Sequence, residues 1–175
     1  LFKQPAVHRL VSCLPGRHAR CADTAAVTTT PADYWDAFET IPGWLTYEDA
    51  CVIAVLLAHQ REQGMVGDLL EIGTFRGKCA ILLGYWLGEG ERVVVCDVFG
   101  QDPYDDGGAA GLARYEGLDI KQFWEQWSRF HSAQPRVVVG PSDRLGALLQ
   151  ELVRFTHVDG SHAYEAVRDD IVTVL

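Results

Sequence analysis

One segment near the end of the 175-residue chain, His157-Val158-Asp159-Gly160-Ser161-His162-Ala163-Tyr164-Glu165, gathers residue types that could do acid–base chemistry. Asp159 offers carboxylate oxygens of the kind that bind a hard cation. His162 lies three residues further on. Imidazole titrates near ~6.5, so a histidine in that place can take a proton from a hydroxyl at neutral pH. A cation beside that hydroxyl would orient it and lower its pKa. The plainer alternative for His162 is a residue at the start of a helix, bonded to backbone. His157 lies inside an apolar run and reads as buried structure. Asp169 and Asp170 read as a solvated face, with one of them able to pair with Arg168.

A second segment is Glu71-Ile72-Gly73-Thr74-Phe75-Arg76-Gly77-Lys78. A triphosphate-binding loop needs four residues between its glycines and then Lys-Ser/Thr. Three residues separate Gly73 from Gly77, and Cys79 follows Lys78, so the magnesium-holding hydroxyl is missing. A dinucleotide turn needs a second close glycine so that backbone can approach a pyrophosphate; Thr74 and Phe75 stand there instead. What remains is an acid-x-Gly-x-x-x-Gly turn, or an ordinary strand–turn–helix with two structural glycines.

Asp97 closes the run Val93-Val94-Val95-Cys96-Asp97 and lies 24 residues after Gly73. In nucleoside-binding α/β folds an acid about 20 residues past the glycine turn accepts hydrogen bonds from ribose hydroxyls. A capping role is the alternative. Gly140-Pro141-Ser142-Asp143 follows a further Val-rich run, at a place suited to a wall beside a base. A helix N-cap by Ser142 is compatible with that.

These motifs need a scaffold that brings their ends together. Four β-rich runs are read at Asp68–Ile72, Arg92–Val98, Arg136–Val139 and Phe155–Val158. The middle two are nearly pure Val, as in strands covered on both faces. Helices are expected at Ala32–Trp44 (or an aromatic lid, the two readings standing level), from Thr46 to Gln63, and over Gly77–Leu87, Ile120–Phe130 and Asp143–Val153. A last one runs from near Ala163 to the end. Thr46-Tyr-Glu-Asp49 is a start like a capping box. Strands alternating with helices predict parallel βαβ units and a doubly wound α/β domain. Leu1–Pro31 reads as an irregular arm that could pack on a second subunit, giving a homo-oligomer. Residues 1–45 are therefore taken as arm and lid region, and 46–175 as the nucleoside-binding domain. The aromatic segment Tyr34–Trp44 and the loop Asp102–Tyr115 are where specificity for a second ligand is expected.

Composition narrows the partners. Lys plus Arg total 15 against 24 Asp plus Glu, a net charge of −9, and apolar residues make up 48%. That balance suits a globular domain and lacks the electrostatic footprint of a nucleic-acid binder. No apolar run approaches the roughly 18 residues of a membrane helix, and Leu1–Leu14 lacks the pattern of a signal peptide. The five cysteines form no CxxC pair. Cys51, Cys79 and Cys96 sit in apolar runs, which points to a reduced, cytoplasmic setting.

The pattern Asp-Gly-Ser-His-x-Tyr-Glu-x-Val-x-x-Asp, behind Gly-Trp-Leu-Thr and Glu-Ile-Gly-Thr-x-x-Gly, resembles one branch of class I S-adenosylmethionine-dependent methyltransferases. That branch includes macrolide and sugar O-methyltransferases of antibiotic pathways and cephalosporin-hydroxylase-like relatives. The similarity runs from about Gly43 to the C-terminus. It implies a Rossmann-like fold and cofactor binding by Glu71, Gly73, Thr74, Gly77, Asp97 and Ser142. It also implies a magnesium-type ligand at Asp159, a general base at His162 and a small-molecule acceptor. S-adenosylmethionine has no phosphates, so a glycine-crowded cradle is unnecessary, and Glu71 would face its ammonium and sulfonium charges. The full sheet of such enzymes has seven strands and four are read here, so the chain is expected to continue past Leu175. A hydroxylase using iron and 2-oxoglutarate, and a non-catalytic nucleoside-binding module, are the other readings.

Overall fold

The structure is a computed structural model, and it describes residues 29–100, 117–149 and 152–175. The loop Asp102–Gly111, and the arm with Cys13 and Cys21, lie outside the described residues. The first helix, α1 (Pro31–Ala37), runs into a 3-10 turn at Phe38–Thr40, and α2 (Tyr47–Glu62) follows. Then come β1 (Asp68–Ile72), α3 (Lys78–Gly84), β2 (Val93–Asp97), α4 (Ile120–Trp127) and β3 (Arg136–Val139). A 3-10 turn at Ser142–Arg144 leads into α5 (Leu145–Leu148), and β4 (Val153–Val158) and α6 (Tyr164–Val174) complete the order.

The four strands form one parallel sheet in the order β3-β2-β1-β4. Side chains alternate across it. Leu69, Val93 and Val95 meet Tyr34, Phe38, Leu57, Leu83 and Phe123 on one face. Leu70, Ile72, Val94, Cys96 and Val138 meet Leu145 on the other. This is the doubly wound α/β arrangement expected of the Val-rich strands, and burying both faces is its main driving force. Every residue of β1 is buried, including the carboxylates Asp68 and Glu71.

Local chemistry sets the ends of the helices. The Thr46 hydroxyl accepts the Asp49 N–H at 3.1 Å and starts α2, as its sequence suggests. Asp119 caps α4 by accepting the Lys121 N–H at 2.9 Å. The helix expected over Asp143–Val153 is a correction: α5 stops at Leu148, and Val153 opens β4, where it pairs with Asp68. Pairing along the edge of β1 outweighs helix continuation there. Ser142 is also not a side-chain cap; its hydroxyl donates to Asp170 of α6.

The aromatic stretch before α2 divides its work. Tyr34 and Phe38 are in the core, and the Tyr34 hydroxyl donates to the Lys78 carbonyl at 3.1 Å. Trp44 stays half exposed, 4.6 Å from the Phe75 ring in the turn after β1. At the opposite end of the sheet Arg154 is fully enclosed. Its guanidinium meets both Glu91 oxygens at 3.0 Å, Gln60 Oε1 at 2.8 Å and the Trp86 carbonyl at 2.8 Å.

Candidate active site at the strand tips

The parallel register delivers the sequence motifs to one edge. Backbone hydrogen bonds carry the pairing one step past the strands. Gly73 donates to the Cys96 carbonyl, Gly140 to that of Asp97, and Asp159 to that of Ile72, at 2.8–2.9 Å. Glu71, Gly73, Asp97, Gly140 and Asp159 therefore share the carboxyl edge of the sheet, where α/β folds bind ligands.

The turn after β1 is built on left-handed backbone. Gly73 has φ +83° and Gly77 has φ +91°. A Cβ on Gly73 would stand 2.1 Å from the Asp159 carbonyl oxygen and 2.6 Å from the Gly160 Cα. The bare position thus serves close approach of the β1 and β4 exits. Gly77 precedes α3, and a Cβ there would meet the Phe123 ring of α4 at 2.9 Å. The bare position thus lets the start of α3 pack closely against α4. Lys78 does not serve the turn. Its ammonium lies 3.8 Å from the centre of the Phe38 ring, and burial lowers its pKa.

Asp97 ends β2 and ties the turn down. Its Oδ2 accepts the Phe75 N–H at 2.7 Å and its Oδ1 accepts the Phe99 N–H at 2.6 Å. Phe75 (φ 52°) and Phe99 (φ 45°) both occupy left-handed backbone, which is uncommon for bulky residues and concentrates at functional sites. Burial raises the Asp97 pKa, against the opposing pull of the Phe99, Phe75 and Thr74 N–H groups.

Glu71 is 2% exposed and faces His157 across the β1–β4 pairing, with Oε1 and Nδ1 3.2 Å apart. Burial raises the Glu71 pKa, while His157 pulls it down. Burial works against charge on His157, but the hydrogen bond and charge of Glu71 outweigh it and raise its pKa. Glu71 Oε2 and the Thr74 hydroxyl are buried and close no hydrogen bond of good geometry among the described residues, although Thr74 and the Cys79 thiol both lean on the Glu71 carboxylate. The Cys79 thiol joins this pair, and ligand atoms of Glu71, Cys79 and His157 lie within 4.8 Å of one another.

Asp159 and His162 stand at the rim, 46% and 77% exposed, with Oδ1 and Nε2 3.6 Å apart. The two aspartates of α6 part company. Asp169 is exposed and takes the Arg168 guanidinium at 2.6 Å and 2.8 Å, as expected. Asp170 is buried against Ser142, so the reading of both as a solvated face is corrected for Asp170. Sequence reasoning missed the Glu71–His157 pair. An alternating strand hides which polar residue its neighbour presents, because only the register supplies the match.

Comparison with known proteins follows the same outline. Residues 70–175 match a family described as a methyltransferase domain. No curated protein matches the sequence significantly. Among solved structures, that of the O-methyltransferase NovP is similar at 21% identity and a TM-score of 0.59, over 71% of this chain and 58% of that one. Cofactor-bound Rv0187 from MTB matches at 19% identity and a TM-score of 0.44, over 82% and 60%. The O-methyltransferase from Bacillus cereus in complex with SAH matches at 16% and 0.42, over 74% and 53%. NovP supports the fold. The chain spans less than two thirds of each of these structures.

Proposed function

Starting from the chain's membership of this methyltransferase-domain family, we propose that it is an S-adenosylmethionine-dependent O-methyltransferase acting on a small polar acceptor, a sugar or natural-product hydroxyl of antibiotic-type secondary metabolism. One observation carries the reading: Asp97, at the tip of β2, is bonded directly to the glycine turn at the tip of β1. An acid and a glycine turn in that relation form a nucleoside seat.

The residues present fit the cofactor. The Asp97 oxygens accept the Phe75 and Phe99 N–H groups and, with about four lone-pair sites between them, keep room for a ribose hydroxyl. Glu71 Oε2 and the Thr74 hydroxyl are buried polar atoms in need of a partner, which an ammonium and a carboxylate arm supply. Gly73 and Gly77 shape the turn, and the segment at Ser142 walls the base. S-adenosylmethionine, held there, would supply an electrophilic methyl on its sulfonium, with a thioether as the leaving group. His162 takes the hydroxyl proton, Asp159 orients His162, and alignment of the acceptor provides much of the rate.

A magnesium ion at Asp159 fits less well. Among the described residues no second and third ligand gather about Asp159, and its Oδ1 already faces His162. Nothing in the described residues favours iron chemistry, since no pair of histidines with a carboxylate comes together. No described helix is long and apolar enough to cross a membrane. Work in the cytoplasm is proposed from the free thiols Cys51, Cys79 and Cys96. An isotope-labelled methyl-transfer assay over a panel of sugars and hydroxylated natural products tests the reading. Label in an acceptor ether supports it; tight cofactor binding with no transfer to any acceptor would make the chain a nucleoside-binding module.

A further inference from the structure

Resting on the cofactor reading above, we propose that His157 is a positioning residue for recognition of the cofactor's amino group. Its imidazole holds one oxygen of Glu71, so that the other is presented to the ammonium.

The pairing of β1 with β4 sets Glu71 directly opposite His157, which puts both side chains on the same face of the sheet. Nδ1 of His157 donates to Oε1 of Glu71 at 3.2 Å. The two differ in depth: the Glu71 side chain is 3% exposed and that of His157 is 23% exposed. The imidazole thus reaches from the rim to a carboxylate sunk in the core. The second oxygen, Oε2, is buried and has no hydrogen-bond partner among the described residues. The Thr74 hydroxyl, three residues along the turn, is buried beside the same carboxylate and likewise closes no hydrogen bond of good geometry. Cys79 lies near and is a weak donor at best.

Unsatisfied buried polar atoms in a native site need an explanation. A ligand with a cationic donor answers both orphans, and the glycine turn that would receive it begins two residues after Glu71. A carboxylate free to rotate would lose much of this recognition, because a charge-assisted hydrogen bond depends on direction. His157 removes that freedom by occupying Oε1. The strand residue that sequence reasoning treated as buried structure therefore becomes part of how the site tells an amino-acid arm from none.

The test compares two nucleosides on the full chain by calorimetry. S-adenosylhomocysteine carries the ammonium and carboxylate, whereas 5′-methylthioadenosine shares the adenosine and thioether but lacks both. His157→Ala should weaken S-adenosylhomocysteine roughly tenfold and leave methylthioadenosine unchanged. His157→Asn, which keeps an amide donor near the Nδ1 position, should recover most of the loss. Glu71→Gln should reproduce the loss, and the double variant should add nothing to it. The ratio of the two affinities within one variant is independent of the folded fraction, so a destabilised protein still gives an answer. Equal weakening of both ligands, or of neither, overturns the proposal. So does stoichiometric Zn²⁺ binding that Cys79→Ala abolishes, which would assign the trio to a cation. Wild-type protein that binds methylthioadenosine as tightly as S-adenosylhomocysteine also overturns it, while leaving the nucleoside seat in place. Binding of neither overturns the cofactor reading itself.

Discussion

The carboxylate of Asp97 accepts the backbone N–H of Phe75 at 2.7 Å, so the last residue of β2 holds the turn that leaves β1. Phe75 pays for this with left-handed backbone, a conformation that costs a bulky residue on the order of 1–2 kcal/mol. Phe99 does the same from the other side, donating to the second oxygen. Two phenylalanines in left-handed backbone therefore flank one carboxylate, a concentration of strain of the kind found at functional sites.

The pH dependence of cofactor binding follows from that carboxylate. Burial raises the Asp97 pKa, and the N–H donors only partly offset it. A ribose hydroxyl is best accepted by the ionised form, so affinity for S-adenosylhomocysteine should fall on acidification before the ordinary aspartate range near ~3.9 is reached. Stability runs the other way. The folded state holds this proton more tightly than the unfolded chain, so the Asp97 contribution is present below the unfolded pKa and is lost as pH rises through the folded one. Calorimetry over a pH series checks the first statement. Affinity that stays flat down to the ordinary aspartate range contradicts it.

Gly73→Ala should damage fold and binding together. The new Cβ would stand 2.1 Å from the Asp159 carbonyl oxygen, on backbone already at φ +83°. Neither neighbour is a side chain that could swing aside. A fall in Tm of ~5 °C or more is expected for a domain of this size, with loss of nucleoside binding. A variant with wild-type Tm would show that the β1 and β4 exits are not packed this closely.

His162→Ala separates chemistry from binding. Loss of a general base should lower turnover by roughly 10²–10⁴-fold, with S-adenosylhomocysteine affinity unchanged. Asp159→Asn should cost less, because in the proposed scheme Asp159 assists only through His162, 3.6 Å away. Full turnover in His162→Ala would move the base elsewhere.

Arg154→Ala is a stability variant at the other end of the sheet. It would leave Glu91 buried, facing the Gly67 and Gly88 N–H groups but without its cation. Removing one partner of a buried ion pair costs about 3–5 kcal/mol. Urea unfolding should show this as a lower midpoint, and Glu91→Ala should match it. A shift below ~1 kcal/mol would mean that water replaces the pair at little cost.

Much of this molecule was legible in its residues. The Val-rich runs announced buried parallel strands, β1 and β3 were read with their observed limits, and Thr46 marked the start of α2. The acid at the end of β2 stood out because parallel strands bring their tips to one edge. Other features depended on pairing between distant segments. Val153 looked like the end of a helix until the edge of β1 claimed it. Ser142 looked like a cap, but its partner Asp170 is 28 residues away on α6. Asp170 and Asp169 are adjacent in the chain, yet helical geometry turns one inward and the other to solvent.

The most direct test is a crystal structure of the chain with S-adenosylhomocysteine. The account predicts density for the nucleoside across the carboxyl ends of β1 and β2, with its ribose on Asp97 and its amino group toward Glu71. Density at any other place, or a ribose turned away from Asp97, would contradict it.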